Sequence, residues 1–364
     1  MPATQTPQTC SRPDERTDVN GTSTEEPPDR KSSFLEDFLQ AMGADLKEIS
    51  KVKKIYPMKV TKHYLNLIKE KDDPIWKQCV PSIEEIHDNN QADPLMEERD
   101  TTVPCIVHRY PDRVLLFVSS KCAMYCRFCT RKRKVGRIKE TSLDQIKRGI
   151  DYIREHEEIR DVLLSGGDPL MRTDNELEFI LKELWEIPHV EIIRIGTRIP
   201  VVLPSRITKR LANMMKKYHP IFMNIHFEHP SEIDADCEKA LKILADAGIP
   251  LGSQSVVLKG VNDDPAVMKE LVQKLVKNRV RPYYLYMCDP SKGVEHFRTP
   301  VKTSLEIIEG IRGWTSGLCV PHLVIDSPGG GGKVPILPHY VRESDDEKIV
   351  LVNYEGKEYT YYNP

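Results

Sequence analysis

The chain has 364 residues, is 39% hydrophobic and 30% charged, and carries a formal net charge of −2. That composition suits one large globular unit, or two, with a sizeable core, and excludes a global field that would recruit nucleic acid. No apolar run approaches the ~18 residues of a membrane span, and the N-terminus lacks the apolar stretch of a secretory signal.

Nine cysteines without an export signal point to a cytoplasmic protein, in which metal or redox use of thiols is more common than disulfides. Residues 1–32 are dominated by Thr, Pro, Ser, Glu, Asp and Asn and read as a disordered tail. Residues 33–105 read as a helical region. Phe34, Leu35, Phe38 and Leu39 share one helical face, as do Tyr64, Leu65, Leu67 and Ile68, and Ser82 with Glu85 makes a helix start signal. Over 106–342 short β-rich runs alternate with amphipathic runs. Strands are expected at Val114–Val118, Val162–Leu164, Ile192–Ile195, Ile221–Ile225, Gln254–Leu258, Arg281–Tyr286 and Leu323–Ile325. Helices are expected at Ser142–Glu155, Asn175–Trp185, Pro204–Lys217, Ser231–Ala247, Pro265–Lys277 and Ser304–Trp314. A strand every ~25–35 residues is the rhythm of parallel βα units. The fold class is therefore α/β, a partial (βα)6-type barrel with its chemistry at the C-terminal strand ends. Residues 343–364 carry a β-hairpin signal, Ile349–Val352 and Tyr359–Tyr362 around Glu355-Gly356.

Three motifs carry chemistry. The first is Cys122-Ala-Met-Tyr-Cys126-Arg-Phe-Cys129, which follows the first barrel strand. Three thiolates at this spacing suit three irons of a cubic [4Fe-4S] cluster with one iron left open. A structural zinc site needs a fourth ligand that is not nearby, and ferredoxin spacings differ. Here the chain resembles the radical S-adenosylmethionine (SAM) superfamily, whose open iron binds SAM. The basic run Arg131-Lys132-Arg133-Lys134 directly follows; such a run is ordinarily a solvated surface. The second motif is Ser165-Gly166-Gly167-Asp168-Pro169, at the end of the second strand. Its glycines let backbone approach a ligand. In that superfamily the corresponding Gly-Gly-acid segment contacts the SAM amino group. The third is Ser327-Pro-Gly329-Gly330-Gly331-Gly332-Lys333. It fails as a phosphate-binding P-loop, because Ser327 stands where Gly is required and Val334 where Ser or Thr is. A flexible glycine run before a lysine suits a lysine that forms and breaks a Schiff base with pyridoxal 5′-phosphate (PLP).

From about Pro57 to Lys333 the chain resembles the lysine 2,3-aminomutase family. The resemblance is carried by His108-Arg109-Tyr110-Pro111-Asp112-Arg113, the cysteine loop through Arg133, Ser165–Asp168, Arg194-Ile-Gly196, Glu295–Pro300 and the glycine run ending in Lys333. It implies an isomerase that interconverts L-lysine and L-β-lysine, with a [4Fe-4S] cluster, SAM and PLP as cofactors and an electron donor such as ferredoxin or flavodoxin. Lys333 would hold PLP, with Arg109 and Arg113 contacting it. Gly166, Gly167, Asp168, Gln254 and His226 would contact SAM. Arg131 would take the substrate carboxylate. Asp289 and Asp326 would bind the ε-ammonium, whereas the glutamate-specific branch carries Lys and Asn there. Arginine would also satisfy two aspartates, and shorter relatives act on a lysine of a translation factor. A non-catalytic iron–sulfur protein is a more distant alternative. The family's cysteine-rich zinc segment is not found after the hairpin, and Asp264 stands where a zinc ligand is expected. No zinc is therefore expected, and the oligomeric state, a homo-oligomer included, is left open.

Overall fold

The computed structural model describes residues 30–136 and 141–364. Most of the expected tail lies outside the described residues. Its boundary at 32 falls inside the first helix, α1 (Arg30–Ala41). That helix buries Leu39 and leaves Phe34 exposed, so the expected apolar face is only partly used. Short helices follow: α2 (Leu46–Lys53), α3 (Lys62–Leu65) and α4 (Pro74–Cys79). Asp45, Thr61 and Asp73 cap them by accepting from backbone N–H groups. The second expected face stops at Leu65, before Leu67 and Ile68. Glu85 accepts from Ser82 N at 3.0 Å, as the start signal anticipated, but opens only a 3-10 turn.

The barrel begins with an antiparallel pair, β1 (Ile106–Tyr110) and β2 (Arg113–Ser119). It continues through α5 (Leu143–Glu155), β3 (Asp161–Gly166), α6 (Asp174–Trp185), β4 (Ile192–Thr197), α7 (Ile199–Val202), α8 (Lys209–Met215) and β5 (Ile221–His226). Then come α9 (Ala235–Asp246), β6 (Leu251–Val257), α10 (Pro265–Lys277), β7 (Val280–Met287), α11 (Val301–Ile311), β8 (His322–Ser327) and β9 (Gly332–Pro335). The nine strands lie in chain order in one sheet. β2 to β8 pair in parallel, joined by six helical crossovers, while β1 and β9 add antiparallel edges. This is the expected partial (βα)6 barrel.

Three expected helices shift, two of them because caps override periodicity. The run from Pro204 to Lys217 breaks where Thr208 accepts from Leu211 N and starts α8. α9 begins at Ala235 because Asp234 caps it. α11 starts at Val301, after Pro300, and ends before Gly313, whose φ is +84°. The expected C-terminal hairpin forms as β11 (Lys348–Val352) with β12 (Glu358–Tyr362), and β10 (Val341–Ser344) adds a third antiparallel strand.

Alternation along the strands positions the site. In β3, β4 and β6, buried residues alternate with half-buried ones. Val162, Leu164, Ile193 and Ile195 are buried in the core. Leu163, Ser165, Arg194 and Gln254 point the other way and line a cavity inside the barrel. The inward face is therefore an open cavity that mixes polar with apolar side chains, unlike a closed barrel filled by side chains.

Candidate active site

The cysteine loop leaves the C-terminal end of β2 and is gripped by the N-terminal region. Tyr125 N donates to Lys59 O (2.8 Å), Arg127 N to Gln78 O (2.9 Å), and Lys59 Nζ to Cys122 O (2.7 Å). Arg127 is buried between the cysteines and pairs with buried Glu85 through Nε (2.9 Å) and Nη2 (2.5 Å). Such a pair locks a loop firmly, because removing either partner strands a buried charge. Cys122, Cys126 and Cys129 all line the cavity. Burial pushes the Cys122 and Cys129 thiols up, and their cysteine neighbours push the same way. Three close thiolates need a cationic partner, and iron replaces their protons. Arg198 Nη1 donates to Cys126 Sγ at 2.9 Å, while its buried Nε has no partner among the described residues. A donor set of three thiols, with a spare buried N–H beside it, fits an iron–sulfur cluster.

At the end of β3, Gly166 has φ +141°, and a Cβ there would lie 2.1 Å from Ser119 O. Only glycine permits this approach between β2 and β3. Gly167 N closes it by donating to Ser119 O at 2.6 Å. The Asp168 carboxylate turns toward β4, accepting from Leu170 N (3.0 Å), Thr197 Oγ1 (2.8 Å) and Arg198 N (2.7 Å). Burial still raises its pKa. His226 ends β5 as expected. Gln254 lies inside β6 rather than at a strand end, directly in register with His226. Gln254 Nε2 donates to Tyr286 Oη (3.3 Å), and His226 Nδ1 lies 3.3 Å from Glu228 Oε1.

Lys333 departs from the expected flexible loop. It sits in β9, paired antiparallel with Asp326 of β8. The glycine run is a tight turn in which Gly329, Gly330 and Gly332 have φ between +76° and +83°. Gly329 N donates to Pro94 O (2.9 Å), and Arg99 Nη1 donates to Gly329 O (3.0 Å). Lys333 Nζ lies 3.1 Å from Asp326 Oδ1 and 5.5 Å from the Tyr286 ring centre. Lys333 N donates to Tyr110 Oη at 3.1 Å. An amine on a fixed strand, beside an aromatic face and across from the arginines of β1 and β2, fits PLP.

Asp289 lies two residues past β7, and Asp326 lies within β8 rather than just past it. Burial, and next the Asp326 charge, push the Asp289 carboxyl up to about 7. Two carboxylates in one partly dry cavity resist joint ionisation unless a cation sits between them.

The basic run is not solvated. Arg131 pairs with Glu97, Lys132 with Glu85, and Arg133 with Asp93 and Glu98. Arg131 gives Nε (2.9 Å) and Nη2 (2.5 Å) to Glu97 Oε1, and Nη1 (3.1 Å) to Ser165 Oγ. Burial opposes ionisation of Glu97, yet Arg131 holds its carboxyl down at about 2. A guanidinium has five N–H groups, so about two stay free to face a ligand. Arg109 is held by Asp100 (2.8 Å) and by Leu95 O, and Arg113 by Asp112 (2.7 Å) and over the Tyr110 ring (3.9 Å).

One cavity of about 700 Å3 is lined by Cys122, Cys126, Cys129, Gly166, Gly167, Asp168, His226, Gln254, Arg109, Arg113, Arg131, Asp289, Asp326 and Lys333 together. Every candidate read from the sequence therefore meets at one place. Asp264 lies elsewhere and caps α10, accepting from Ala266 N at 2.7 Å. Glu97, Tyr286 and Arg198 lie outside the motifs read from the sequence, and Ser165 and Tyr110 lie inside them without an expected role. Tyr284 and Tyr286, two apart on a strand that faces the barrel, were a usable signal. Arg198 had none, because its role depends on tertiary contacts.

A model of the radical SAM superfamily matches residues 116–272, and one described as lysine-2,3-aminomutase matches residues 308–364. The chain is 55% identical over 312 residues to the L-lysine 2,3-aminomutase of Clostridium subterminale, covering 84% of this chain and 75% of that protein. It is 52% identical over 339 residues to the Methanococcus maripaludis L-lysine 2,3-aminomutase, covering 91% and 78%. It is 46% identical over 302 residues to the glutamate 2,3-aminomutase of Clostridioides difficile, covering 82% and 72%.

Proposed function

We propose, on the premise that this chain belongs to the lysine 2,3-aminomutase family of radical SAM enzymes, that it is an isomerase interconverting L-lysine and L-β-lysine. The observation that carries lysine as substrate is the acid pair Asp289 and Asp326 in the same cavity as Lys333 and the three cysteines. An anionic side chain such as glutamate would meet two carboxylates there and be repelled.

In this reading Cys122, Cys126 and Cys129 hold a [4Fe-4S] cluster. The Gly166–Gly167 backbone, Asp168, His226 and Gln254 receive SAM. Lys333, Arg109 and Arg113 hold PLP. The bound groups supply one-electron hydrogen removal at the substrate's β-carbon and an electron sink for nitrogen migration. The chain's own residues do the rest. Arg131 presents its free N–H groups to the substrate carboxylate, oriented by Glu97 and Ser165. Asp289 and Asp326 hold the far ammonium, so the amino acid is stretched between two charged anchors. Tyr110 fixes the lysine strand by accepting from Lys333 N, and the Tyr286 ring lies beside the amine. A one-electron donor of the ferredoxin or flavodoxin type serves it in the cytoplasm. No described helix is long and apolar enough to cross a membrane.

The test is anaerobic reconstitution with iron, sulfide, SAM and PLP, followed by reduction and L-lysine. β-Lysine is the expected product. Lysine left unchanged by cluster-loaded, PLP-loaded protein overturns the reading.

A further inference from the structure

One buried cation beside the cysteine loop has no part in the scheme above. Arg198 follows β4 and is buried. Its Nη1 donates to Cys126 Sγ at 2.9 Å. Its guanidinium centre lies 5.1 Å from the ring of Phe128, which stands between Cys126 and Cys129 in the same loop. On its other side Nη2 reaches Glu232 Oε1 (2.6 Å), Tyr64 Oη (3.2 Å) and Gln78 Oε1. Glu232 is fully buried and is also bonded by Tyr64 Oη (2.7 Å). Tyr64 belongs to α3 and Gln78 to α4, so the N-terminal helices set where this cation stands.

We propose that Arg198 is a positioning residue for the iron–sulfur cluster, which raises the cluster's reduction potential through its N–H bond to Cys126 Sγ while Tyr64, Gln78 and Glu232 hold it there. The inference rests on the reading of Cys126 as a cluster ligand. Reduction adds one electron from the one-electron donor and no proton, so the negative charge on the cluster and its thiolates grows by one. A hydrogen bond to a ligand sulfur, and a cation closer to that sulfur than its counter-ion, stabilise the more negative state. A guanidinium cannot lose its proton here, so the contribution is permanent. Glu232 sets its size, since it offsets the cation from behind.

The experiment is a potentiometric titration of the anaerobically reconstituted protein, read by the electron paramagnetic resonance of the reduced cluster. Three proteins are compared: wild type, Glu232→Gln, and Arg198→Gln combined with Glu232→Gln. The double variant leaves no uncompensated buried charge. Its reduced-to-oxidised ratio at fixed potential is expected to fall about tenfold, a shift of about 59 mV for one electron. Glu232→Gln alone is expected to move the midpoint the other way, because the cation then acts undiminished. A purely structural Arg198 would lower iron content without opposite shifts. Unmoved midpoints with normal iron content overturn the proposal. If the double variant takes up no iron, Glu232→Gln decides: an unmoved or lowered midpoint there overturns it too. Loss of iron from Cys126→Ala marks that residue as a ligand, so iron retained in that control would instead sink the cluster reading itself.

Discussion

The two ends of the cavity are held by different physics. The cysteine end is fixed from a distance: Arg127 pairs with Glu85, 42 residues away, and Arg198 with Gln78, 120 residues away. The lysine end is fixed chiefly through the backbone, by the antiparallel pairing of β8 and β9, a turn of positive-φ glycines, and main-chain bonds to Tyr110, Pro94 and Arg99. One end thus depends on buried side-chain contacts with the N-terminal region, and the other on backbone geometry. The segment from Asp93 to Asp100 ties the two together. It holds Arg131 and Arg133 through Glu97, Asp93 and Glu98, Arg109 through Asp100, and the glycine turn through Pro94 O and Arg99.

The largest expected effects separate the ends completely. Cys126→Ala should cut the iron content of reconstituted protein by more than about half while the PLP absorbance persists. Lys333→Ala should abolish that absorbance and leave the cluster spectrum intact. Loss of both signals in either variant would mean that the ends are not independent. Next comes the ion pair: Glu85→Ala strands Arg127 and should cost about 3–5 kcal/mol in denaturant unfolding. At the lysine end, Val334→Ala on the exposed side of β9 should change stability by under about 0.5 kcal/mol.

Asp289 gives a pH test of the substrate end. Its pKa is raised from 3.8 to about 7, so below about 7 the Asp289 carboxyl of the ligand-free site is mostly protonated. A cation binds better once Asp289 is ionised, so kcat/KM for L-lysine should rise as pH rises through about 7. Asp289→Asn should remove that limb and lower kcat/KM by roughly 10–100-fold, the loss of one charged hydrogen bond. A smaller effect on binding concerns Glu97. Glu97→Gln should weaken L-lysine by about fivefold, since Arg131 loses its charged brace. L-Lysinamide, which lacks the carboxylate, should be unaffected. Binding is read in both cases from the visible absorbance of bound PLP. Equal weakening of both ligands would reduce Glu97 to a loop fastener.

Much of the barrel was legible because its strands are β-branched runs at a steady spacing, and the motifs lie at or near their C-terminal ends. The edges were not. β1 reads Ile-Val-His-Arg-Tyr, without clean alternation, and β9 starts in glycine and stops at Pro335. Lys333 was found by its glycines, but their meaning was inverted: they fold a turn rather than loosen a loop. The role of Asp93–Asp100 stayed hidden because an acidic run and a basic run some 35 residues on look alike as solvated surface until they pair. Arg198 belongs to no motif, and only tertiary packing against the cysteine loop, α3, α4 and Glu232 gives it a partner set.

In the proposed function, Asp289 and Asp326 select a cationic amino acid in a cavity shared by the cysteines and Lys333. The most direct measurement incubates the reduced, fully reconstituted enzyme with L-lysine, L-arginine and L-glutamate in parallel and identifies the β-amino acid formed. L-β-Lysine, with glutamate inert, is the predicted result. Turnover of glutamate with lysine inert would contradict it.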